Sequence, residues 1–130
     1  MAGFVIQERF ELQEQRRGEI TLLFIKGRID KAELDVINAD VTRLYNEGRR
    51  RVIVDFSEVT AITTLAVAGF VMGVEPLRSK GGEIVLTGTS PSVRKVFEVI
   101  DTTHKLEMQT DVVAAIKSIN QRSTLDGPPA

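Results

Sequence analysis

Val52-Ile53-Val54 is a short, unbroken, β-branched run near the middle of a chain of 130 residues. A strand with one wet face alternates apolar and polar residues, whereas a continuous apolar run marks a strand covered on both faces by helices. The run therefore predicts the central strand of a layered α/β domain. Helical spacing lies on either side of it. Upstream, Leu34, Ile37, Val41 and Leu44 recur at steps of three and four, and Gly48 stands where a C-terminal cap belongs, so a helix is expected over residues 32–47. Downstream, residues 64–79 are mostly small and apolar and end before Gly81-Gly82, which predicts a second, more buried helix. Pro76 lacks a backbone donor and clashes with the preceding turn, so a kink or early end is expected there.

The remaining segments complete an alternating order. Residues 10–15 alternate apolar and polar, and the apolar run 20–25 follows Arg16-Arg17-Gly18 at hairpin distance, which predicts two antiparallel strands. Residues 83–87 read as another strand. Ser90-Pro91 supplies a capping hydroxyl and then proline at the first helical position, opening a third helix to about Ile100 with Val93, Val96, Phe97 and Ile100 turned inward. A short edge strand over 106–108 and a last helix capped by Thr110 and carrying Val112, Val113, Ile116 and Ile119 are expected next. The tail 121–130 has no apolar pattern and is expected to be disordered, leaving one domain over 1–120. Two strand-helix-strand crossovers imply a mixed sheet of four to five strands with about four helices packed on it.

Composition narrows the function. With 17 basic and 18 acidic residues the net charge is -1, so no long-range field favours nucleic acid or an anionic membrane, and a protein partner is expected instead. The absence of cysteine removes disulfides, thiolate metal sites and thiol catalysis. The N-terminus has no signal-peptide core and no apolar run reaches the roughly 18 residues of a membrane span, so a cytoplasmic location is expected. His104 is the single histidine, and a surface loop is the simpler reading of it than a nucleophile-histidine-carboxylate arrangement. Neither a metal-ligand cluster nor a phosphate-binding glycine loop occurs, so no cofactor and no enzymatic activity are expected. Arg49-Arg50-Arg51 reads as a solvated turn that favours the end of the preceding helix.

The segment Val59-Thr60-Ala61-Ile62-Thr63-Thr64 lies between the central strand and the second helix. Either of the adjacent threonines can cap that helix by accepting an orphan amide hydrogen. Either hydroxyl can also carry a phosphate, which a helix N-terminus receives without unfolding and which alters a binding surface by its charge.

Four stretches together resemble the STAS domain family, specifically the bacterial anti-sigma-factor antagonists: Gly27-Arg28-Ile29-Asp30, residues 52–60 (VIVDFSEVT), Gly81-Gly82-Glu83-Ile84-Val85-Leu86, and Ser90 to Phe97. The likeness covers about residues 10–119. It implies a STAS-like single domain and a partner that is an anti-sigma factor and a serine/threonine kinase of the histidine-kinase-like ATPase fold. It further implies that the unphosphorylated chain binds this kinase, that phosphorylation breaks the complex, and that a phosphatase restores it. The family's phosphorylated hydroxyl opens the second helix in aspartate-serine-serine-glycine-leucine, a pattern that falls on Thr63-Thr64-Leu65-Ala66-Val67. Thr64 takes the acceptor position, with Thr63 as the fallback. The implied binding surface comprises Ile29, Asp30, Thr63, Thr64, Leu65 and Val67. Aspartate, the next serine and glycine are replaced here by Thr63, Leu65 and Ala66. Two alternatives stay open: a scaffold subunit of a signalling complex that is not phosphorylated, and an accessory domain of a transport system.

Overall fold

A computed structural model describes residues 9–101 and 106–125. Its elements follow one another as β1 (Glu11–Arg17), β2 (Ile20–Ile29), α1 (Lys31–Asn46), β3 (Arg51–Ile62), α2 (Thr64–Ser79), β4 (Glu83–Thr87), α3 (Pro91–Ile100), β5 (Glu107–Gln109) and α4 (Val112–Leu125). The five strands form one mixed sheet in the order β1-β2-β3-β4-β5. Only β1 runs antiparallel to its neighbour, joined to β2 by the hairpin at Gly18, whose φ of 59° favours glycine. All other pairs are parallel.

Parallel neighbours demand crossovers, and crossovers in one sheet are right-handed. Because strand order equals chain order, α1, α2 and α3 all land on one face. Val52, Val54 and Phe56 of β3 meet them there, whereas Ile53 faces the other layer with Ala115 and Ile119 of α4. The β-branched run is thus buried on both sides, as its composition demands. Phe56, Phe70 and Phe97, one each from β3, α2 and α3, meet edge to face with ring centroids 5.8 to 6.2 Å apart. That geometry suits the aromatic quadrupoles and locks three elements together. The α1 and α2 axes approach closely because Gly69 and Gly73 have no side chains. A Cβ at Gly69 would lie 2.4 Å from Leu34 Cδ2, and one at Gly73 would lie 2.5 Å from Asn38 Nδ2.

Several sequence expectations are corrected. The second strand runs on from Ile25 to Ile29, and β3 runs to Ile62, because the two pair in parallel as far as Ile29↔Ile62. Gly27, at φ 94°, permits the irregular register there, and a Cβ on it would strike the Arg9 carbonyl. The second helix does not end early at Pro76. Pro76 and Met72, four residues before it, are both exposed, so water can satisfy the carbonyl that proline leaves unpaired. Asp111 rather than Thr110 caps the last helix: its carboxylate accepts the Ala114 amide at 2.8 Å. There are three parallel crossovers, not two.

Residues 121–125, expected to be disordered, belong to α4. Arg122 explains the extension, since its guanidinium bonds Glu83 on β4 at 3.0 Å and also reaches Glu107 on β5. Burial alone would push the Glu107 carboxyl up. Hydrogen bonds from Ser118 and Gln109 and the charge of Arg122 outweigh it and hold this group below the usual carboxylate range. His104 and residues 126–130 lie outside the described residues.

The phenylalanine cluster makes a direct stability prediction. Phe97→Ala should destabilise the domain by about 3–5 kcal/mol, the range for emptying a fully buried aromatic site. Val113→Ala, on the exposed side of α4, should stay within about 0.5 kcal/mol. Urea unfolding followed by circular dichroism checks both.

Candidate functional site

Strands β2, β3 and β4 end at one edge of the sheet, and α1, α2 and α3 therefore begin there. Each start is capped by a side chain. Asp30 caps α1 in a reciprocal box: its carboxylate takes the Lys31 amide at 2.8 Å and the third-position amide, while Glu33 accepts the Asp30 amide at 2.9 Å. Thr63 caps α2 by accepting the Ala66 amide at 3.1 Å, and Ser90 caps α3 by accepting the Val93 amide.

The first two caps are linked. Because Ile29 and Ile62 sit side by side in the sheet, the residues that follow them are neighbours. The Thr63 amide donates to the Ile29 carbonyl at 3.1 Å, and the Thr63 hydroxyl donates to Asp30 Oδ1 at 3.3 Å. The hydroxyl of Thr63 is thus engaged both as donor and as acceptor. Thr64, the first residue of α2, is exposed, and its hydroxyl has no hydrogen-bond partner among the described residues. The two threonines that look interchangeable in the sequence have different work: one caps, the other faces solvent.

The structure divides the expected surface residues. Asp30, Thr64 and Leu65 are exposed, and Thr63 is half-buried. Ile29 and Val67 are fully buried in the core beneath α1 and α2 and have no surface to offer a partner, which corrects their assignment to the binding surface. Ile29 is the inward member of the β2 alternation, and Val67 lies on the inward face of α2 with Phe70 and Val74.

Leu65 was part of the expected surface, but sequence reasoning missed Met72 and Val36 as exposed apolar residues. Leu65 is 67% and Met72 75% exposed, seven residues apart and so on one side of α2. Val36, on the neighbouring α1, is about half exposed. The signal was present, because α2 carries no charged residue before Glu75, more apolar length than one buried face requires. Among the described residues no group of three or more His, Asp or Glu could hold a metal ion, and no helix is long and apolar enough to cross a membrane.

The family model of the STAS domain matches residues 11–115, and the chain belongs to that family. BtrV of Bordetella bronchiseptica, provisionally named an anti-sigma factor antagonist, is 28% identical over 75 residues, which is 58% of this chain and 65% of BtrV. The match thus spans just under two thirds of that relative. Among solved structures, the anti-sigma factor antagonist SpoIIAA in its unphosphorylated form superposes with a TM-score of 0.65 at 22% identity, covering 88% of this chain and 97% of its own. SpoIIAA of Bacillus has also been solved phosphorylated, with a TM-score of 0.60 at 20% identity and coverage of 88% and 99%. A Thermotoga maritima protein provisionally described in the same terms gives a TM-score of 0.75 at 14% identity, covering 84% of this chain and 94% of its own. These likenesses establish the mixed α/β STAS fold.

The division of labour between the threonines is measurable. Thr63→Val orphans the Ala66 amide and should cost about 1 kcal/mol, the usual size of a lost N-cap. Thr64→Val, at a solvent-facing first-turn position, should change stability by about 0.5 kcal/mol or less. Thermal unfolding of the two variants side by side decides it, and equal losses would contradict the assignment of the cap to Thr63.

Proposed function

We propose that the chain is an anti-sigma factor antagonist that acts by partner switching and is itself no enzyme. In this reading it binds an anti-sigma factor that is also a serine/threonine kinase of the histidine-kinase-like ATPase fold. The kinase phosphorylates Thr64, the complex dissociates, and a phosphatase returns the chain to its binding form. Thr64, Leu65 and Asp30 make contact with the partner, with Thr63 behind them.

The observation that carries this reading is the state of Thr64. Its hydroxyl is exposed at the first position of α2 and has no partner among the described residues, and beside it the Thr63 hydroxyl is already held between Asp30 and Ala66. A phosphoacceptor must enter another protein's active site, which a free hydroxyl on a rigid helix start allows without unfolding. The phosphate then adds about -1.5 to -2 charges beside the exposed, apolar Leu65. A contact that was partly apolar becomes costly to desolvate, and the partner leaves. The names of BtrV and SpoIIAA support the same role, and the existence of SpoIIAA in both phosphorylation states supports the switch.

Radiolabelled phosphate transfer from the cognate kinase checks the acceptor. Wild type and Thr63→Val should be labelled, and Thr64→Val should lose at least nine-tenths of the signal. Full labelling of Thr64→Val would move the acceptor elsewhere, and an unlabelled wild type would favour the scaffold reading.

A further inference from the structure

The carboxylate of Asp30 serves two helices at once. It caps α1 through the Lys31 amide, and it accepts the hydroxyl of Thr63, the residue that caps α2. The two bonds differ in quality. The amide bond, at 2.8 Å, is of ordinary length, whereas the 3.3 Å link to Thr63 exceeds the usual 2.5 to 3.0 Å for a hydroxyl donor. A small electrostatic change can therefore break the second while leaving the first. Two neighbouring charges on α1 are engaged locally, as Glu33 accepts the Asp30 amide and the Lys31 ammonium is paired with Asp35 at 3.5 Å.

We propose that Asp30 is the positioning residue through which a phosphate on Thr64 is felt at the start of α1. The proposal rests on the reading of Thr64 as the acceptor. Consecutive Cα atoms are 3.8 Å apart, so a phosphate on Thr64 lies within about 10 Å of Asp30, close to one Debye length at 0.1 M salt. Two anions then share the same pair of helix starts. The phosphate competes for the unpaired amides at the N-terminus of α2 and repels the carboxylate that holds Thr63. Asp30 lets go of Thr63 and turns wholly to α1, so that the surface presented by both helix starts changes while the core stays fixed. Phosphorylation thus alters two elements of the binding face for one modification.

The test needs no kinase, so its failure and the failure of the acceptor assignment are separable. Phosphothreonine is installed at position 64 by genetic recoding, in wild type and in Asp30→Asn. Asparagine is as good a helix cap as aspartate, so the variant folds while the charge is gone. The second pKa of the phosphate, read by phosphorus NMR titration, should be higher in wild type than in Asp30→Asn by a few tenths of a unit. The amide resonances of Lys31 and Glu33 should move on phosphorylation of wild type, and by less than half as much in Asp30→Asn. Thr63→Ser, which keeps the hydroxyl, should retain the full amide response. Equal phosphate pKa values in the two proteins, or Lys31 and Glu33 amides that do not move in wild type, would each overturn the proposal.

Discussion

Burial of β3 on both faces is the constraint from which the rest of the molecule follows. Val52, Val54 and Phe56 belong to one layer and Ile53 to the other, so this strand must be sandwiched. Parallel neighbours and right-handed crossovers then place α1, α2 and α3 together on one side, with all three beginning at a single edge. The pairing of Ile29 with Ile62 brings the starts of α1 and α2 into hydrogen-bond contact. The site is in this sense a consequence of topology: residues 33 positions apart become neighbours because the strands before them are adjacent.

Elements whose signals are local were legible in the sequence. Residues 64–79 and 83–87 read as a helix and a strand with the bounds that the structure gives, and Ser90-Pro91 opens α3 as capping chemistry requires. What depends on a partner strand was not legible. β2 and β3 outrun their apolar stretches because each satisfies the other's backbone as far as residues 29 and 62, through a segment rich in polar residues. The extension of α4 to Leu125 is likewise non-local, since the ion pairs of Arg122 are made with residues on β4 and β5.

The candidate site shows the same split. The resemblance put the acceptor at Thr64 with Thr63 as the fallback, whereas residue type alone left either hydroxyl able to cap the helix. The structure separates the two hydroxyls, since Thr63 caps α2 and also meets Asp30, while Thr64 is exposed with no hydrogen-bond partner among the described residues. Ile29 and Val67 were drawn into the expected surface by lying in the right motifs. Motif membership does not encode the side of a strand or helix on which a residue falls. Leu65 and Met72, by contrast, are exposed apolar residues on a helix whose inward stripe is already complete with Val67, Phe70, Val74 and Leu77. A surface of this kind, with a free hydroxyl at its end, is suited to a contact that forms and is then broken by charge.

The central claim is that charge at Thr64 controls association with an anti-sigma partner. Isothermal titration of that partner with the unmodified chain and with the chain carrying phosphothreonine at position 64 tests it most directly. The account predicts at least a hundredfold weaker binding of the phosphorylated chain, about 2.7 kcal/mol, which corresponds to one badly desolvated charge at an interface. Equal affinity of the two forms for the partner would contradict it.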